Sequence, residues 1–293
     1  MYKHKQPVTI GCLCCFQQLN IFNMNLLQTI IIAIIEGLTE YLPISSTAHM
    51  IFTAELLNVA NSDFVKLFEI AIQFGAILAV VFLYYKKFFN FKNLTFYYKL
   101  IFAVIPALIL GFLFGNIIDT ILEKPIPIAI VLVIGGIILL FIDKFFNNPT
   151  TLCEKDISIK QAITIGFWQC LAMMPGTSRS AASIIGGMQQ GLSREAAAEF
   201  SFFLAVPTMT AATCYSLFLK NWGENGITQK GYQLILSSPE NIKHFLIGNL
   251  VALIVAILAI KFFIDMIKRF GFKPWGWYRI IAGILLLIYC ISK

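Results

Sequence analysis

Glu36-Gly37-Leu38-Thr39-Glu40-Tyr41-Leu42-Pro43-Ile44-Ser45-Ser46-Thr47-Ala48-His49 lies between two apolar runs, Leu26 to Ile35 and Met50 to Leu57. Two carboxylates, three consecutive hydroxyls and an imidazole therefore stand where lipid tails are expected. Ionisable groups at that depth cost several kcal/mol unless they face a cavity or a partner, so the stretch is a functional-site candidate.

The rest of the chain supports the membrane setting. Of 293 residues, 58% are hydrophobic and 13% charged, with a mean hydropathy of +0.80. Soluble domains carry about 25% charged residues. The chain reads as an all-α polytopic membrane protein. Its net charge of +7 comes largely from lysines between apolar runs, so no nucleic-acid partner is expected. Among seven cysteines Cys12 and Cys15 form a single CxxC with no second pair or His ligand to complete a zinc site, and those in apolar runs read as small buried hydrophobes. Residues 1–23 differ from the rest: Lys3, His4 and Lys5 precede a short stretch holding Cys12, Cys14 and Cys15. They read as a disordered N-terminal extension ahead of a single membrane domain over 24–293.

Spanning a bilayer takes about 20 apolar residues. Six full spans are expected, at 66–84, 99–118, 126–143, 196–219, 245–265 and 275–291. Two further apolar regions, 25–57 and 161–190, are each interrupted by a Pro and hydroxyl-rich segment. These read as re-entrant helix–loop–helix hairpins. They resemble each other: Ile35…Pro43-Ile-Ser-Ser-Thr-Ala-His49 aligns with Phe167…Pro175-Gly-Thr-Ser-Arg-Ser-Ala181. Each precedes an acid beside an aromatic, with 26 residues from Pro43 to Glu69 and 24 from Pro175 to Glu199. The similarity argues for a duplication, with halves over 24–143 and 157–293.

The positive-inside rule orients the halves. Loops 86–99 (Lys86, Lys87, Lys92, Lys99), 144–160 (Lys144, Lys155, Lys160) and 266–274 (Lys268, Arg269, Lys273) are expected on the cytoplasmic side. The turn 119–125, with Asp119, Glu123 and Lys124, falls outside. Parity then inverts the halves, and inverted repeats with broken helices bring polar tips together near the midplane.

The tips carry complementary chemistry. Glu36 and Glu40 are one turn apart on a helix face and would share a proton or bind a cation such as Mg2+ or Ca2+. A neutral hydrogen-bonded pair is the plainer alternative. Ser45, Ser46 and Thr47 open the next helix, where N–H groups bind phosphate or a hydroxyl merely caps the end. His49, one turn after Ser46, can move a proton or simply pack. In Pro175-Gly176-Thr177-Ser178-Arg179-Ser180, Gly176 admits close backbone approach and Arg179 presents a donor fork. The partner of Arg179 is either Glu36 or Glu40, or a substrate phosphate. This inventory suits phosphoryl transfer on a lipid-linked substrate. Gly135-Gly136 reads as a close helix contact, the Phe200–Phe203 run as packing or lipid-facing, and Trp275, Trp277 and Tyr278 as an interfacial belt. Glu69 and Glu199 either brace their hairpins or join the site.

The Glu-x-x-x-Glu segment with Pro-Ile-Ser-Ser-Thr-Ala-His, and the Pro-Gly-Thr-Ser-Arg-Ser segment, resemble the undecaprenyl-diphosphate phosphatases, the bacitracin-resistance family. Gly191-Leu-Ser-Arg-Glu-Ala-Ala-Ala-Glu-Phe-Ser-Phe-Phe-Leu-Ala-Val-Pro207 extends the match, which runs from about Met24 to the C-terminus. The resemblance implies hydrolysis of undecaprenyl diphosphate at the bacterial plasma membrane, recycling the cell-wall carrier lipid. It further implies Mg2+ or Ca2+ dependence and a site opening to the outer side. On the matching positions Glu36 and Glu40 look like the metal and acid–base pair, Ser46 the nucleophile, His49 the acid–base partner and Arg179 the phosphate anchor. Ser45, Thr47, Gly176, Thr177, Ser178 and Ser180 are the expected phosphate-binding neighbours. Ala181 stands where the family commonly has Gly. Expected partners are undecaprenyl diphosphate, membrane lipid and a second copy in a homodimer.

Two other readings compete. Acid-phosphatase-like lipid phosphatases need a His soon after Ser-Arg, which neither His4 nor His244 supplies. A transporter or flippase of a phosphorylated polyprenyl lipid shares the broken-helix architecture, and would remain competent with Ser46→Ala.

Overall fold

The computed structural model describes residues 24–59, 62–122, 125–223 and 228–292. The N-terminal extension and the turn side chains Asp119, Glu123 and Lys124 lie outside the described residues. Long apolar runs dictate helices, because a backbone removed from water must satisfy its own hydrogen bonds. Among the described residues six helices are long and apolar enough to cross a membrane: α3 (Asp63–Leu83), α5 (Leu94–Leu122), α6 (Pro125–Phe145), α9 (Arg194–Cys214, continued by a π turn to Leu219), α11 (Pro239–Phe270) and α12 (Lys273–Ser292). They coincide with the six spans read from sequence, and the protein is an all-α polytopic membrane protein.

The two interrupted regions form pairs of short helices: α1 (Leu26–Thr39) with α2 (Ser46–Leu56), and α7 (Ile159–Gln169) with α8 (Arg179–Gln189). Each pair opens on a capping box, which satisfies first-turn N–H groups. Asn25 Oδ1 accepts from Gln28 N at 2.9 Å and Gln28 Oε1 accepts from Asn25 N at 2.7 Å. Ser158 and Gln161 repeat the exchange at 3.2 and 2.8 Å. The same glutamines close each hairpin at its base, Gln28 Nε2 donating to Leu57 O (3.0 Å) and Gln161 Nε2 to Gln190 O (2.9 Å). Counterparts keep a constant offset of 133 residues: Asn25 to Ser158, Gln28 to Gln161, Leu57 to Gln190.

Each hairpin thus returns to the end of the bundle where it began, and the two begin at opposite ends. The base of the second lies with the lysine loops, where Thr150 N donates to Gly191 O (2.8 Å). There Lys87, on the short helix α4 (Tyr85–Phe88), pairs with Glu154 at 2.7 Å, and Lys99 donates to Lys155 O at 2.6 Å. Asp143 joins Arg194 (2.6 Å) and Phe272 N (2.8 Å) at the same end. The base of the first hairpin lies with the start of α11, where Thr29 Oγ1 meets His244 Nδ1 at 2.7 Å. Between the fourth and fifth spans the chain adds elements the apolar pattern does not signal: a small hairpin of β1 (Asn221–Trp222) and β2 (Gln229–Lys230), then α10 (Gly231–Leu236).

Packing exchanges partners between the halves. α1 lies on α11 and α7 on α5, while α3 meets α9 and α6 meets α12. The α6–α12 contact is close because a side chain on Gly136 would run into the Gly276 carbonyl, and one on Gly135 into the Arg279 guanidinium. Phe200, Phe202 and Phe203 are buried, so that run is packing rather than lipid-facing. Of the expected aromatic belt, Trp277 is exposed, whereas Trp275 is buried edge-on to Phe263 at 5.4 Å.

Candidate active site

The site forms where the two interrupted helices restart. Ser45, preceding α2, has φ +71°, and Ser178, preceding α8, has φ +73°. Left-handed backbone at a non-glycine residue costs of order 1–3 kcal/mol and persists only where surroundings impose it. Arg279, from the second turn of α12, is wholly buried beside both breaks. Its guanidinium donates to Pro43 O (3.0 Å), Thr177 O (3.0 Å), Gly176 O (2.8 Å) and Leu132 O (3.2 Å). One cation therefore ties both breaks to each other and to α6.

These helix starts correct the sequence alignment by one residue. Aligning Pro43 with Pro175 sets Ser46 opposite Ser178, whereas the 133-residue offset from Ser45 to Ser178 sets Ser46 opposite Arg179. The step from the proline to the helix restart is one residue longer in the second break, Pro175 to Arg179 against Pro43 to Ser46. Gly176 accommodates it with φ +88°, and its close neighbour is the Ile128 carbonyl of α6.

At the apposed helix starts, Ser46 Oγ donates to Glu40 Oε2 at 2.7 Å. Arg179 Nη2 donates to the other oxygen, Oε1, at 2.9 Å. Nη1 donates to Ser201 O on α9 at 2.9 Å. Arg179 Nε is buried without a hydrogen-bond partner among the described residues. The guanidinium lies 5.8 Å from the Tyr41 ring, which packs edge-on against Phe202. Of the two protein partners open to Arg179 from sequence, Glu40 is the one engaged. Glu36 is fully buried, and neither carboxylate oxygen has a hydrogen-bond partner among the described residues. Ser180 Oγ crosses between the halves to Leu42 O at 2.8 Å.

The hydroxyls divide by role. Ser45 makes no side-chain cap, so its position is not explained by capping. Ser178 does cap α8, accepting from Ala181 N at 3.3 Å. Thr47 is half-buried. The carbonyls of Gly176 and Thr177 are held by Arg279 rather than left open. His49 stands apart from the Ser46–Glu40–Arg179 bonds: Nδ1 lies 2.8 Å from Ser45 O and Nε2 2.7 Å from Tyr278 Oη. Glu199 braces the lysine-loop end, 3.7 Å from Lys87 and 3.4 Å from the Tyr84 hydroxyl. Glu69 stays outside this bonded network, partly buried on α3.

Arg279 and Tyr278 escaped the sequence reading, which took this part of α12 for an interfacial belt. The signal was present. Arg279 is the only charged residue between Trp275 and Ile291, and an arginine inside a span demands a polar partner.

The carboxylates can be tested against a divalent cation. Among the described residues no group of three or more His, Cys, Asp and Glu surrounds a common point. Mg2+ is commonly held by one or two carboxylates with the remaining positions taken by substrate phosphates and water. Glu36, with two unspent buried oxygens one turn from Glu40, fits that pattern.

The chain can now be set beside known proteins. The family model described as bacitracin resistance protein BacA matches residues 29–285. An undecaprenyl-diphosphatase of Flavobacterium johnsoniae is 52% identical over 269 residues, covering 90% of this chain and 96% of that protein. One from Porphyromonas gingivalis is 46% identical over 286 residues, covering 92% and 98%. One from Bdellovibrio bacteriovorus is 43% identical over 267 residues, covering 90% and 96%.

Proposed function

The chain belongs to the bacitracin resistance protein BacA family, and on that footing we propose how it hydrolyses undecaprenyl diphosphate to undecaprenyl phosphate and phosphate. The activity recycles the lipid carrier of cell-wall synthesis. The observation that carries the mechanism is the chain of bonds Ser46–Glu40–Arg179 across the two breaks. The terminal phosphate binds Arg179, whose buried Nε has no acceptor among the described residues. Its hold on the guanidinium releases Glu40 to Ser46. Ser46 Oγ attacks the terminal phosphorus and its proton passes to Glu40 Oε2. The bond from phosphorus to the bridging oxygen breaks, and undecaprenyl phosphate leaves. Water then attacks the phosphoserine, Glu40 returns its proton to Ser46 Oγ as the P–Oγ bond breaks, and dihydrogen phosphate leaves with both protons of the water. His49 serves as an acid–base partner in this cycle. Ser45, Thr47, Ser178 and Ser180, with Gly176 and Thr177, shape the phosphate-binding rim.

Glu36 and Glu40 would hold Mg2+ or Ca2+, which when bound offsets negative charge on the diphosphate. The two halves, about 24–143 and 157–293, form an inverted pair, a reading supported by hairpins that open at opposite ends. With the lysine loops cytoplasmic, the site opens to the outer side.

Two measurements test this scheme. Ser46→Ala is expected to lower phosphate release from undecaprenyl diphosphate by about a thousandfold or more, as loss of a nucleophile does. Wild-type protein quenched during turnover should yield phosphoserine. Near-normal turnover by Ser46→Ala would instead establish direct attack by water. Separately, a chelator should abolish turnover and added Mg2+ or Ca2+ restore it, with Glu36→Gln raising the cation concentration needed. Full activity in chelator would end the cation assignment.

A further inference from the structure

Tyr278 has no role in the scheme above, yet it holds one of its members. The Ser45 carbonyl can only accept, so the hydrogen on His49 must sit on Nδ1, 2.8 Å away. Neutral His49 therefore carries its lone pair on Nε2, and the Tyr278 hydroxyl, 2.7 Å away, donates to it. The two rings lie nearly parallel, 14° apart with centroids at 5.6 Å. Meanwhile the single hydroxyl proton of Ser46 is directed to Glu40, not to the imidazole.

We propose that Tyr278 is a positioning residue for the reaction, holding the direction of the His49 ring whose tautomer the Ser45 carbonyl sets. The proposal rests on His49 taking part in turnover. A phenol suits the task because its oxygen can donate to a bare Nε2 and accept from a protonated one. The bond thus survives as His49 gains and loses a proton. Its placement is rigid for a structural reason. The next residue, Arg279, is bonded to the carbonyls of Pro43, Gly176 and Thr177, so α12 is referenced to both breaks at that turn. Consecutive residues of one helix turn hold the backbone of the site and the imidazole beside it. Phenylalanine at 278 would keep the ring contact and lose only the hydroxyl.

The test compares Tyr278→Phe, His49→Gln and the double variant in detergent-solubilised protein, following phosphate release from undecaprenyl diphosphate. Tyr278→Phe should lower kcat about tenfold with KM changed less than about twofold, and leave the thermal midpoint in place. Added to His49→Gln, it should cost nothing more, because the two act as one unit. Ring-nitrogen NMR supplies an independent reading. The chain has three histidines, and the Nε2 resonance of His49 should shift in Tyr278→Phe as it loses its hydrogen-bond donor, while the Nδ1–H tautomer stays. Wild-type kcat in Tyr278→Phe, an unchanged His49 Nε2 resonance, or a full tenfold loss persisting on top of His49→Gln would overturn the proposal. Wild-type activity in His49→Gln alone would instead remove His49 from the reaction, a separate failure.

Discussion

Arg179→Ala is expected to lower kcat for phosphate release by about 10³–10⁵-fold, the range seen when an arginine that neutralises phosphoryl charge is removed. Arg179 sits at the first turn of α8 with one arm on Glu40, one on the Ser201 carbonyl, and its Nε without a protein acceptor. A diphosphate can claim that donor and displace the Glu40 contact without moving the helix. Arg179→Lys should recover little, since an ammonium lacks the planar fork that spans the Ser201 carbonyl and phosphate oxygens together. The variant also breaks a buried ion pair, which costs about 3–5 kcal/mol when one partner is removed. Loss of activity could then follow from loss of fold. Following the thermal midpoint of Arg179→Ala beside its turnover separates the two. Below its own midpoint, where the variant is folded, phosphate release should still be lost. Activity that falls only where the variant unfolds would mean that Arg179 is structural.

The second large effect concerns folding. Arg279→Met should lower the thermal midpoint sharply and abolish activity with it. The buried guanidinium satisfies carbonyls at Pro43, Leu132, Gly176 and Thr177, and each acceptor left unpaired in a dry interior costs about 1–3 kcal/mol. Two of those carbonyls precede backbone held at φ +71° and +73°, so the breaks should relax once released. Arg279→Lys is the decisive companion. Lysine keeps the charge but brings three donors from a single nitrogen, and it cannot reach carbonyls on three segments at once. A lysine variant with wild-type midpoint and turnover would show that charge, and not the clamp, is what α12 contributes.

Tyr278 and Arg279 mark the border of what was legible beforehand. Both sit in an apolar span whose length alone identifies α12. Their partners do not follow from spacing, because the bond from Arg279 to Pro43 closes a separation of 236 residues. The same holds for Arg179. Its need for an anion follows from composition, but the choice of Glu40 over Glu36, 139 residues from Arg179, depends on how two hairpins abut.

Span count, the two interruptions and the inventory of acid, hydroxyl, imidazole and guanidinium follow from residue order. Burial in lipid is a local and nearly additive property, so a run of apolar residues and an ionisable group within it declare themselves without reference to the fold. Which serine stands opposite the arginine, which carboxylate it engages, and which way His49 turns were settled in three dimensions. They hang on the hand of the backbone at Ser45 and Ser178, and on a side chain arriving from the last helix that binds the carbonyls preceding both.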